Sequence, residues 1–338
     1  MCTLAELIKR LRKNIAGITD NQTLEAFDLE YCEILDKSTD EFVNKCVKKC
    51  NNELKQIKGI DYDQHIKTAY EAYGEAICYT DIKRFCNIEH IPESKLKTPD
   101  FKVCFDNVVI YVEMKSLSFV DSNQNYKASQ ESALKANISR EEQFKQGKRF
   151  IWTEREVLPM AKNGNNTSFR EQLLLLREKI ENNLKIGQLQ QGETILLIDL
   201  NQLGVRYHSS EYVAIEKSFN GIGYSSGMLW SLAFAKKQDR LFIAPEFEGK
   251  PNIDEEEIGF NGVLVDYSEL KGLIFAVGRT PKERAFVGFY RYKEQGCNFV
   301  KLIQTICSFY NDDRNSFCYD ADKDFVPVQN NEILKSLV

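Results

Sequence analysis

The chain has 338 residues, 43% hydrophobic and 28% charged, with a formal net charge of −5, the profile of a globular protein with room for a large core. That acidic balance excludes a protein that coats nucleic acid indiscriminately, which needs concentrated Lys and Arg, but it leaves room for a local basic groove. No apolar run is long enough to cross a bilayer, and the ten cysteines lack short regular spacing, so they read as small core thiols of a cytoplasmic protein with no membrane partner.

Leu4, Leu7, Ile8, Leu11 and Ile15 recur at helical spacing, so the N-terminal stretch reads as an amphipathic helix and not as a signal peptide. A second stripe, Phe42, Val43, Cys46, Val47, Cys50, Leu54 and Ile57, makes Cys46 and Cys50 core residues of another helix. Cys297, Cys307 and Cys318 are too far apart in sequence for a zinc knuckle, and His65, His90 and His208 have no paired spacing with them. Zinc and iron–sulfur clusters are not expected. Ile66, Ala69, Tyr70, Tyr73, Ala76 and Ile77 predict a third helix, on which Glu71 and Glu75 flank the apolar stripe on one side.

The most informative stretch is TPDFKVCFDNVVIYVEMKS, residues 98–116. Asp106-Asn107 tolerates positive φ and makes a natural tip for a tight hairpin. Counting outward from it, Phe105 faces Val108, Phe101 faces Val112, and Asp100 faces Glu113. Alternation puts Phe101, Val103, Phe105, Val108, Ile110, Val112 and Met114 on one apolar face that must be buried. Asp100, Lys102, Glu113 and Lys115 share the other face and are expected to project away from the core. Facing carboxylates lie about 5 Å apart at Cβ and repel, so the pair asks for a cation, a shared proton or solvent.

Downstream, a charged helix is expected over about 127–146, a short strand over 149–152, a helix over Phe169–Lys185 and a buried strand over Thr194–Leu200. Asp199 closes that strand and is a candidate by position, although acids there often cap the following turn. Gly221, Gly223 and Gly227 lack the spacing of a phosphate loop or dinucleotide fingerprint and read as a turn. In the last third, Arg240–Ala244, Gly262–Val265, Leu273–Val277 and Ala285–Tyr292 predict antiparallel strands that extend or cap the sheet, and Asn298–Tyr310 predicts a final helix. The expected division is a helical extension over 1–62, an α/β core over 63–240 and C-terminal strands with a terminal helix over 241–338. Lys95, Lys97 and Lys102 beside the hairpin, with Lys145, Lys148 and Arg149 further on, are the candidates for a nucleic-acid-binding groove.

Pro99-Asp100, twelve intervening residues and Glu113-Met114-Lys115 resemble the signature of the PD-(D/E)XK nuclease superfamily, the restriction-endonuclease-like fold. Other acid-x-Lys triplets occur, among them Glu53/Lys55 and Glu269/Lys271, but only Glu113/Lys115 ends a β-branched and aromatic run. In that family the Asp lies on one strand, the acid-x-Lys on its antiparallel neighbour, and an upstream helix often supplies a Glu. Tyr73-Gly74-Glu75-Ala76 is similar to the helix motif of several branches, which favours Glu75 over Glu71. The resemblance covers roughly residues 65–200. It implies a mixed β-sheet core flanked by helices, Mg²⁺ (or Mn²⁺ in its place) held by Asp100, Glu113 and Glu75, and Lys115 orienting the attacking water. Its implied activity is phosphodiester hydrolysis, of DNA rather than RNA, in a phage-defence or restriction setting. A module that keeps the fold and binds nucleic acid or a protein partner without catalysis is the alternative, and a homo-oligomer is compatible with either.

Overall fold

A computed structural model describes residues 2–15, 24, 26–57, 63–92, 98–117, 135–148, 150, 169–184, 189, 192–203, 215–217, 224–226, 228–238, 240–243 and 254–314. The expected strand over 149–152, Cys318, His208 and Gly221, Gly223 and Gly227 fall wholly or mainly outside those residues.

Four helices come first: α1 (Leu4–Ile15), α2 (Leu29–Asp36), α3 (Glu41–Lys55) and α4 (Asp63–Ile82). Asp28 and Asp40 cap α2 and α3 by accepting from the free amides of the first turn, as aspartate does at that position. Three antiparallel strands follow, β1 (Asn87–His90), β2 (Phe101–Phe105) and β3 (Val108–Ser116). Next come a helical stretch over 135–145, α5 (Phe169–Asn183) and β4 (Thr194–Asp199), which lies parallel to β3. All six residues of β4 are buried, as expected for a strand covered on both faces.

Two small antiparallel ribbons, β5 (Ile215–Lys217) with β6 (Tyr224–Ser226) and β7 (Arg240–Ile243) with β8 (Asp254–Glu257), stand apart from the main sheet. Helix α6 (Met228–Phe234) lies between the ribbons in sequence. Helix α7 (Val263–Asp266), β9 (Leu270–Val277), β10 (Ala285–Tyr290), α8 (Asn298–Ile306) and β11 (Phe309–Asp312) end the described chain. The result is an α/β protein with a seven-stranded mixed sheet, β1-β2-β3-β4-β9-β10-β11.

Helices cover both faces of this sheet. On the first, α1 to α4 and α8 pack against Phe101, Val103, Ile110, Val112, Met114, Ile195, Leu197 and Ile274. On the second, α5, α6 and α7 pack against Leu196, Ile198, Leu273, Phe275, Val287 and Phe289. Cys46 and Cys50 sit in the first layer as the helical stripe requires, and the described cysteines are all free.

Three expectations for the C-terminal third are corrected. Residues 262–265 do not form a strand: Gly262 is pressed against the end of α6, where a Cβ would lie 2.4 Å from the Ala233 carbonyl, and its own carbonyl accepts from the Val265 and Asp266 amides to start α7. The last helix stops at Ile306 because Cys307 turns extended, φ −88° and ψ 130°, and the Ser308 amide then donates to the Phe286 carbonyl to begin β11. Nor are all the added strands antiparallel, since β9 runs parallel to β4 and β11 parallel to β10. They extend the sheet, and the first core layer draws residues from both α1 to α4 and the distant α8. Residues 1–90 read from the sequence as mainly helical, and four-residue β1 stands at the end of that stretch.

Candidate active site

The hairpin has the expected register. Asp106 and Asn107 take φ of 47° and 64°, the paired left-handed conformation of a type I′ turn, and strand pairing runs from Phe105↔Val108 out to Phe101↔Val112. One step beyond, Asp100 lies beside Glu113: its carbonyl accepts from the Ile91 amide at 2.9 Å, and its side-chain Oδ2 accepts from the Met114 amide at 2.7 Å. The turn dipeptide sets the ladder as far as Phe101↔Val112, and the Asp100 carboxylate then takes the Met114 amide, which brings it beside Glu113.

Glu113 does not project into solvent, contrary to the sequence expectation, although Val109 on the same face is exposed and Tyr111 and Lys115 are half-buried. Strand β3 is interior to the sheet, with β4 paired along its other edge. Glu113 is 0% exposed and its Oε1 is ion-paired with Lys115 Nζ, the side chain of Lys115 being 20% exposed. The acid-x-Lys spacing places both side chains on the same face of one strand, which is what permits the pairing.

Helix α4 brings Glu75 into this arrangement. It is half-buried, whereas Glu71, one turn earlier, is exposed. Burial and then the negative charge of Asp100 push the Glu75 carboxyl up to about 7, while Lys49 on α3 and Lys115 act in the opposite direction. Glu75, Asp100 and Lys115 thus share one electrostatic neighbourhood, and Glu75 is the better placed of the two helix acids. Lys49 was not foreseen from the sequence, where it is one of several lysines on the polar side of α3. Among the described residues, no group of three or more His, Cys, Asp or Glu side chains is already drawn together as a metal cage.

Gly74 explains how α4 comes so close. A Cβ built there would lie 2.8 Å from both Ser116 Oγ and Asp199 Oδ2, the side chains that end the paired strands β3 and β4. Only glycine admits that approach without displacing them. Asp199 does cap the following turn, accepting from the Asn201 amide at 3.2 Å, and it is fully buried.

Of the proposed groove, Lys102 pairs with Glu89 across β1 and β2 at 3.4 Å, and Lys145 and Lys148 are exposed at the end of the 135–145 helix. Lys95, Lys97 and Arg149 lie outside the described residues. His65 pairs with Glu53 at 2.8 Å and His90 stacks on Phe42 with ring centroids 4.3 Å apart, both structural roles. Among the described residues, no helix is long and apolar enough to cross a membrane. Comparison with protein-family models, with curated proteins and with solved structures finds no match to this chain. The fold and the site's geometry are accordingly the basis for a functional reading.

Proposed function

We propose that the protein is a divalent-metal-dependent nuclease of the restriction-endonuclease-like kind, cutting DNA in preference to RNA, with a role in phage defence or restriction. The observation that carries this reading is the placement of Asp100, through the Met114 amide, beside the Glu113/Lys115 pair, with Glu75 of the upstream helix within electrostatic reach of Asp100 and Lys115. The surrounding α/β sheet, with helices on both faces, is compatible with it.

The donor set is all carboxylate oxygen, the type preferred by Mg²⁺ and Mn²⁺, and the repulsion between Glu75 and Asp100 is what a cation among them relieves. Asp100, Glu113 and Glu75 would hold the ion. When bound, it supplies Lewis-acid neutralisation of the charge that grows on a phosphodiester. Lys115 supplies the cation of the site: its ammonium, paired with Glu113, would orient the attacking water and stabilise the developing oxyanion. Glu75, with its carboxyl near 7, can take up a proton at neutral pH. Lys49 places a further positive charge where a phosphate chain would approach.

Purified protein assayed on single- and double-stranded DNA and RNA with Mn²⁺ tests the reading. Cleavage is expected to need the metal and to fall by about 100-fold or more in Lys115→Ala and Glu113→Ala. Metal-dependent cleavage unchanged in both variants refutes the site. The full burial of Glu113 and its closed pair with Lys115 favour a second reading, a non-catalytic module that binds nucleic acid or a protein partner. Calorimetry distinguishes the two, because that module takes up no Mn²⁺ at the hairpin.

A further inference from the structure

On the first face of the sheet, α4 presents Gly74, Cys78 and Asp81 along one stripe, each on the next turn from the last. Gly74 rests on Ser116 and Asp199. Beyond it, the side chain of Arg284, the residue before β10, reaches across the helix–sheet boundary. Its Nη1 donates to Asp199 Oδ1 at 3.3 Å, its Nε lies 3.4 Å from Asp81 Oδ2, and its Nη2 donates to Cys78 Sγ at 2.8 Å. The side chain is 3% exposed, and those of the two acids are 0% and 4% exposed. Tyr31 on α2 donates its hydroxyl to the same Asp81 oxygen at 2.8 Å, and Arg84 approaches the other Asp81 oxygen at 3.4 Å from the solvent side.

Such a cluster is a poor source of stability, because the desolvation of a guanidinium and two carboxylates offsets most of their attraction. What it does supply is a fixed distance. Three of the elements it joins, α4, β4 and β10, are remote in sequence, and two of them bear on the candidate active site. Helix α4 carries Glu75 next to Gly74. Strand β4 holds, through the Ser116↔Asp199 pair, the end of β3 that carries Lys115.

We propose that Arg284 is a positioning residue for the Glu75, Asp100 and Lys115 site, its guanidinium tying α4 to β4 so that Glu75 is held at a set height over the end of β3. This rests on the nuclease reading for its functional consequence. The clasp itself rests only on the distances above.

Two full-length variants test it. Arg284→Lys keeps the charge but loses the planar fork that reaches three partners. A triple variant, Asp81→Asn with Asp199→Asn and Arg284→Met, removes the clasp without leaving an unpaired buried charge. Each is measured for Mn²⁺ affinity by calorimetry, for kcat and KM on the DNA substrate that wild-type protein cuts best, and for amide hydrogen exchange along 74–82. The expected result is a folded protein whose Mn²⁺ affinity and kcat both fall by about 10- to 100-fold, with KM little changed and exchange along α4 faster. Native Mn²⁺ affinity and kcat in both folded variants overturns the proposal. So does failure of both to fold, which would assign the cluster to stability alone. Exchange distinguishes this failure from that of the nuclease reading: if wild-type protein binds no Mn²⁺ and cuts nothing, faster exchange in the variants still upholds the clasp, whereas unchanged exchange overturns it.

Discussion

Replacing Gly74 with alanine sets two known effects against each other, so the sign of the result is informative. In an ordinary helix interior the change is favourable by about 1 kcal/mol, because glycine costs more backbone entropy. Here the new methyl would lie 2.8 Å from Ser116 Oγ and from Asp199 Oδ2. Neither oxygen retreats freely: Asp199 is anchored through its other oxygen by Arg284 and by the Asn201 amide, and the Oγ of half-buried Ser116 is itself out of solvent. Overpacking of this kind costs about 1–3 kcal/mol, and two simultaneous contacts put it in the upper part of that range. The net expectation is a destabilisation of about 1–2 kcal/mol, read as a drop of roughly 1–3 °C in Tm by thermal denaturation of a chain this long. Relief should come from Ser116→Ala in the same chain, which removes one of the two obstructing atoms. An increase in Tm for Gly74→Ala alone, as for a glycine on an open helix face, would refute the close approach of α4 and with it the placement of Glu75.

The pH dependence follows from Glu75. Its carboxyl titrates at about 7 in the folded chain against a reference of 4.5, so between those values the folded state binds more protons than the unfolded one. Stability is therefore expected to fall as pH rises through that window, and Glu75→Gln should lessen the fall, with Tm measured across the range in both proteins. Identical pH slopes would mean that Glu75 ionises as an ordinary surface acid. At the hairpin tip, Asn107 at φ 64° should accept glycine with no loss of stability, while valine should cost about 1–2 kcal/mol by urea unfolding. Equal stability of the two variants would show that the turn does not need left-handed residues.

How far the sequence discloses this molecule depends on the range of the interaction involved. The hairpin was legible because its determinants are local: a turn dipeptide that tolerates positive φ, and strict alternation on either side of it. Its surroundings were not. That Glu113 sits on an interior strand depends on β4, whose paired residue Leu196 lies more than eighty positions on. The Arg284 clasp joins residues 206 and 85 positions apart, and no period or spacing signals it. Short apolar runs failed for another reason. Val263-Leu264-Val265 satisfies a strand pattern as well as a helical turn, and the close contact of Gly262 with α6 decides between them. Strand β11 was absorbed into the preceding helix because the pattern gives no stop signal at Cys307, where the chain turns to meet β10.

Strand β4 has a consequence for the order in which the protein is made. One of its edges pairs with β3, already synthesised, but the other finds its partner only in Leu270 to Ala276. A nascent chain that has emerged through Asp199 therefore carries all four site residues and an unpaired edge on a strand whose middle four residues are apolar, the kind of surface that recruits other strands. The edge stays bare for some seventy residues of further synthesis. The candidate site is thus complete in sequence long before the sheet that holds it can close.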